Sequence, residues 1–217
     1  MTYTGKTHVG GPASVRELPD LVISKLALGP MDNNAYVLRC RATGEQVLID
    51  AAAEPARLLD LIGSDGLTTV VTTHGHADHW QALAAVRKAT GARSLAPRLD
   101  AETLGALVDD TLEDGDSVSV GDSRLRVIHL GGHTPGAMAL LYEDPLGHPH
   151  LFSGDCLFPG GVGKTWSEQD FETLFRGVRD RVFASLPDET WVYPGHGNDT
   201  TLGAERPALA TWEARGW

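Results

Sequence analysis

Residues 73–80, Thr-His-Gly-His-Ala-Asp-His-Trp, place His74, His76, Asp78 and His79 within six positions. Packed together without a cation to share, so many lone-pair donors would compete for solvation. A divalent metal resolves that competition, because imidazole and carboxylate both ligate it. Residues of the same chemistry stand beside glycines farther on: His133 in Gly131-Gly-His-Thr-Pro135, Asp155 in Phe152-Ser-Gly-Asp155, and His196 in Tyr193-Pro-Gly-His-Gly197. Each follows an apolar run and falls in a turn, where glycine admits positive φ and lets a ligand approach. Asp50 closes Val47-Leu-Ile-Asp50 in the same manner. Seven potential ligands and one acid able to orient them suffice for two metal ions.

Two divalent ions close together lower the pKa of a shared water and polarise the carbonyl that the resulting hydroxide attacks, which is hydrolase chemistry. A donor set without thiolate suits Zn2+ and also admits Fe or Mn. In an activated acyl compound a thiolate leaving group needs the least general-acid help. Asp78 is then available to accept or relay a proton.

The elements that must carry these residues follow from periodicity. Strands are expected at Leu21–Leu28, Ala35–Cys40, Gln46–Asp50 and Thr68–Thr72, with a helix from about Glu54 to Ile62. The histidine-rich stretch thus sits on a strand-to-helix turn, and a helix over 78–90, ended by Gly91, follows it. In the second half, strands are expected at Ser117–Val120, Arg124–Leu130, Ala137–Tyr142, His150–Ser153 and Thr190–Tyr193. A helix from Ser167 to Leu186 carries Phe171, Leu174, Phe175, Val178 and Val182 on one stripe. Runs of strands broken by helices predict an α/β fold, a four-layer αββα sandwich of two mixed sheets flanked by helices. Residues 1–20 read as a loosely ordered lead-in or a short edge element, and 21–217 as a single domain, with or without internal duplication.

A net charge of −11, from 18 basic and 29 acidic residues, argues against nucleic acid and anionic membranes as partners. The first residues carry neither a secretory pattern nor an apolar run of the ~20 residues a membrane span needs, so a cytoplasmic location is expected. Cys40 and Cys156 cannot build a disulfide framework and read as free thiols. Cys156 follows Asp155, and alternation along a strand turns it away from the metals, as a buried residue. His8, His148 and His150 lack the turn context and read as solvated or structural, and His129 as structural. The run Gly160-Gly-Val-Gly-Lys-Thr165 imitates a phosphate loop, but Phe158 stands where that motif needs its first glycine. It reads instead as a flexible rim from which Phe158, Lys164 and Trp166 contact substrate, Lys164 through a substrate carboxylate.

The His-x-His-x-Asp-His pattern, followed in order by His133, Asp155 and His196, resembles the metallo-β-lactamase superfamily over about residues 21–200. The resemblance implies that His74, His76 and His133 bind one metal and Asp78, His79 and His196 the second. It also implies that Asp155 bridges them while Asp50 orients the ligand turn by hydrogen bonding. Asp rather than Cys at 155, the Met31-Asp-Asn-Asn-Ala-Tyr36 start and the Gly-Asp-x-Leu-Phe run at 154–158 are similar to glyoxalase II and its short bacterial relatives. That implies a small-molecule acyl thioester or ester as substrate. The stretch from Gly197 to Trp217 resembles the short tail of those relatives, a capped turn plus one short helix, so the catalytic centre carries over and the glutathione-binding helical domain does not. The superfamily also contains persulfide dioxygenases, with a single iron on the counterparts of His74 or His76, His133 and Asp155, and lactone and β-lactam hydrolases.

Overall fold

The computed structural model describes residues 3–216; Met1 and Thr2 of the lead-in and Trp217 of the tail lie outside the described residues. One sheet has seven strands in sequential order: β1 (Ser14–Glu17), β2 (Leu21–Leu28), β3 (Asn33–Cys40), β4 (Gln46–Ile49), β5 (Thr69–Val71), β6 (Arg93–Pro97) and β7 (Asp110–Leu112). It is antiparallel from β1 to β4 and parallel from β4 to β7. The second sheet comprises β8 (Ser117–Val120), β9 (Ser123–His129), β10 (Met138–Tyr142), β11 (His150–Gly154), β14 (Trp191–Pro194) and β15 (Thr200–Thr201), with β11 and β14 parallel. A separate hairpin, β12 (Leu157–Phe158) and β13 (Gly161–Val162), rises beside it.

Three apolar clusters fill the three gaps between four layers. Tyr36, Leu38, Val47, Ile49, Met138, Leu140 and Phe152 meet between the sheets. The alternate residues of the same strands, Ala35, Val37 and Leu48, face helices α1 (Pro55–Ile62) and α2 (Leu83–Thr90), meeting Leu58, Ile62, Leu83 and Val86. On the far side Ala139 and Leu141 pack on Phe171, Leu174, Phe175, Val178 and Val182. Because both faces of each sheet are covered, the central strands are apolar at nearly every position, while the period of two decides which core each residue enters. This is the four-layer αββα sandwich that the residue pattern predicts. Among the described residues no helix is long and apolar enough to cross a membrane.

Several boundaries differ from expectation. Over their described part the first twenty residues take the second of their two expected forms, a short edge element: β1 pairs with β2, and Tyr3 and Gly5 are tied by hydrogen bonds to Asp199 and Lys25. The expected helix over 78–90 is two pieces, a 3-10 turn at Ala77–His79 and α2 from Leu83, because the turn that presents the histidines bonds locally, His79 N to His76 O and Trp80 N to Ala77 O. The long second-half helix is α4 (Glu168–Gly177), capped by Ser167 and continued as a π-helical turn over Val178–Phe183. Strands β6 and β7 and the short α3 (Ala101–Leu104) have no counterpart in the expected elements. The tail forms α5 (Leu202–Glu205), capped by Thr201, and α6 (Leu209–Arg215).

Candidate metal centre

Five strands end at one rim of the sandwich. Beyond β4 stands Asp50, beyond β5 the stretch 73–80, beyond β9 the turn with His133, beyond β11 Asp155, and beyond β14 His196. The structure gathers all seven candidate ligands there. His74, His76 and His133 form one group whose ligand atoms lie within 4.8 Å of one another, and Asp78, His79 and His196 form a second within the same limit. Asp155 lies between them: one carboxylate oxygen is 3.4 Å from His79 Nε2, and the other is 3.4 Å from both His133 Nε2 and His196 Nε2. His79 Nε2 and His196 Nε2 are 3.1 Å apart.

The outer ring nitrogens are fixed by oxygen acceptors, which determines the tautomers. His133 Nδ1 donates to Lys164 O at 2.7 Å, His196 Nδ1 to Met31 O at 2.8 Å, and His79 Nδ1 to Asp50 Oδ2 at 2.8 Å. The Thr73 hydroxyl donates to Asp50 Oδ2 at 2.8 Å, so at 3.1 Å it accepts from His74 Nδ1. In all four rings Nε2 is the nitrogen turned inward, the arrangement metal-ligating histidines adopt. Asp50 has φ 58°, a left-handed value that Asp tolerates better than most residues, and its other oxygen accepts the Thr73 amide at 2.8 Å. Gly195 is required by crowding, since a Cβ there would collide with the Asp155 carboxylate and the His79 ring.

Electrostatics agree with a place for positive charge among these groups. Burial drives the His74 imidazole well below its ordinary range, and burial likewise lowers His133. For His79 burial works in the same direction, but the carboxylates of Asp50, Asp155 and Asp78 outweigh it and raise the ring to about 9. Burial opposes ionisation of Asp155, yet the surrounding histidines, His196 first, hold its carboxyl below the usual range. His133 Nε2 and Asp155 Oδ1 are buried without a hydrogen-bond partner among the described residues. Orphaned acceptors of this kind, ringed by further lone pairs, fit divalent cations better than they fit protons.

Of the expected rim, the Phe158 ring lies 6.2 Å from His196, the Trp166 ring 6.4 Å from His76, and Lys164 Nζ 4.3 Å above the Trp166 ring. The glycine-rich run forms β13 and the loop whose Lys164 carbonyl holds His133, so its backbone serves the histidine. Cys156 is fully buried in the core beneath α4, and Cys40 is likewise buried and unpaired. His129 bonds Pro135 O at 2.8 Å across the base of the His133 turn, and His150 bonds the Tyr193 hydroxyl at 2.9 Å; neither belongs to a group of candidate ligands. Asn33 was not among the candidates: it is buried and donates to Asp78 Oδ2 at 2.8 Å. Its signal was the Asp-Asn-Asn run of the β2–β3 turn, which is polar where a hairpin core begins.

A β-sandwich that gathers histidines and carboxylates at one rim defines a class of proteins that bind divalent metals. Within that class the chain belongs to the metallo-β-lactamase superfamily, whose family model matches residues 28–196. It is 36% identical over 187 residues to a hydroxyacylglutathione hydrolase of Fuscovulum blasticum, covering 82% of this chain and 67% of that one. It is 37% identical over 166 residues to the mitochondrial persulfide dioxygenase of Homo sapiens, covering 74% of this chain and 62%, less than two thirds, of that protein's length. A solved protein in a di-iron-bound form superposes with a TM-score of 0.67 at 33% identity, covering 84% of this chain and 96% of that one. Overall identity is nearly equal for the hydrolase and the dioxygenase, so the arrangement of the site has to separate them.

Proposed function

We propose that the protein is a dinuclear metal-dependent hydrolase of acyl thioesters, of the hydroxyacylglutathione hydrolase type. The observation that carries this reading is the second donor group, Asp78, His79 and His196, set against the first with Asp155 between them. A single ion would need only His74, His76, His133 and Asp155. Two divalent ions, Zn2+ in the first instance and Fe or Mn by the same donors, would supply an acidified water and a polarised carbonyl. The protein's own part is to hold four Nε2 lone pairs inward, to keep Asp155 ionised among them, and to offer Asp78 as a proton acceptor. Asp50 fixes His79 and the start of the ligand turn. Phe158, Lys164 and Trp166 would frame the substrate, with Lys164 available to a substrate carboxylate. The free buried thiols Cys40 and Cys156 suit a reducing cytoplasm.

Purified protein is expected to hold two equivalents of metal, to release thiol from S-lactoylglutathione-like thioesters, and to lose that activity on chelation. Protein that keeps both equivalents yet releases no thiol from a panel of thioesters overturns the reading. A second reading, a mononuclear iron persulfide dioxygenase, is favoured by the 37% identity to the human enzyme. Oxygen uptake with a thiol persulfide by iron-loaded protein selects it. Lactone or β-lactam hydrolysis would use the same centre with a different rim, and turnover of those substrates in the same panel would reveal it.

A further inference from the structure

Asp100 is 3% exposed and sits between β6 and α3, at the N-cap of α3. An aspartate there ordinarily accepts from the amides of its own helix. Asp100 makes no such bond. Its Oδ2 accepts the Gly75 amide at 2.8 Å and the Thr134 hydroxyl at 2.5 Å, and its Oδ1 accepts the Gly136 amide at 2.8 Å. Among the described residues it forms no ion pair, so its acceptor capacity goes to these two loops. Gly75 lies between His74 and His76; Thr134 and Gly136 follow His133. The two glycines are matched to the carboxylate, for a Cβ on Gly136 would fall 2.7 Å from Asp100 Cγ and one on Gly75 3.3 Å from its Cβ. One further bond ties the two loops, Met138 N to Thr73 O at 3.2 Å.

We propose that Asp100 is a positioning residue for the first metal: it sets the register between the His74–His76 turn and the His133 turn, and so the geometry of the three-histidine group. Asp50 does the corresponding work for the second group through His79, and it reaches the first only by way of the Thr73 hydroxyl on His74 Nδ1. The inference rests on the assignment of His74, His76 and His133 to one ion. Asp100→Asn is nearly isosteric, yet its amide nitrogen cannot accept from one of the two backbone N–H groups. The conflict falls on whichever loop loses its acceptor.

The test is metal titration of the full chain against a chromophoric chelator, with Co2+ as a spectroscopic probe, comparing wild type, Asp100→Asn and Thr134→Val. Asp100→Asn is expected to weaken the ion at the three-histidine group by about 10- to 100-fold, the range for groups that orient ligands. It should also alter the visible Co2+ spectrum of that ion while moving the second ion less. Thr134→Val removes one contact and should shift the same ion by a smaller factor, which keeps the test decisive if Asp100→Asn fails to fold. Variants that bind both ions with wild-type affinity and spectra, whatever happens to their melting temperature, overturn the role of Asp100 and leave the dinuclear reading standing. Wild-type protein that takes up no metal defeats that reading, and this inference with it.

Discussion

At the scale of the residue, the proposed hydrolase makes Asp78 the group on which turnover should depend. Its Oδ2 lies 3.6 Å from His79 Nε2 and 3.5 Å from His196 Nε2, and it is a fifth exposed, open to a substrate as the buried Asp50 is not. Asn33 donates to the same oxygen, which aims the carboxylate and leaves its other oxygen free. Asp78→Ala is expected to lower kcat/KM by at least roughly 100-fold, the contribution of a positioned proton acceptor, with a native far-UV circular dichroism spectrum. Activity surviving in a folded variant would mean that the centre is wrongly assigned. Asn33→Ala should reduce kcat/KM by about 10-fold, as expected of a group that orients a ligand rather than serving as one. The candidate ligands were legible because four of them crowd into one six-residue stretch and the other three stand beside glycine just past an apolar run. Asn33 and Asp100 were not, because their partners stand far away in sequence and an isolated Asn or Asp carries no signature of what it will accept or donate.

Elements explain the rest of what the sequence hid. The long strands of both sheets and α1 showed themselves through apolar periodicity. Strand β7 has three residues and β6 ends on Pro97, so neither offers enough alternation to be seen. The stripe from Phe171 to Val182 continued through the change from α- to π-helical bonding, since side chains report burial and not the hydrogen-bond register. Lys25 in β2 is the clearest concealed device. It is fully buried and bonds Asp199 Oδ1 at 2.6 Å, Gly197 O at 2.6 Å and Gly5 O at 2.9 Å, which ties the N-terminal segment to the loop just past His196. Burial lowers the Lys25 pKa and raises that of Asp199, the signature of a pair held out of water. Lys25→Met leaves Asp199 unpaired and should destabilise the fold by about 3–5 kcal/mol, read as a shift in the urea midpoint. A midpoint within error of wild type would show that the pair contributes nothing net.

For the whole molecule, His150 predicts how stability answers acid. It lies at the start of β11, fully buried, away from the metal rim. Burial first, then the positive charge of Arg16 and its neighbour His148, lower its pKa from 6.5 to about 3. The folded chain therefore keeps His150 neutral where the unfolded chain protonates it. Between those values the unfolded state binds more protons, so stability falls as pH falls, by at most about 1.4 kcal/mol per pH unit from this group. From pH 6.5 to 5 that amounts to roughly 1–2 kcal/mol. His150→Phe removes the titrating group and should flatten that limb, while at pH 7.5 it loses about 1 kcal/mol with the Tyr193 hydrogen bond. Urea unfolding of both proteins at equal metal loading, across pH 5 to 7.5, isolates the difference, because the histidines of the centre and their metals contribute equally to each. Two parallel pH profiles would show that His150 does not set the acid sensitivity.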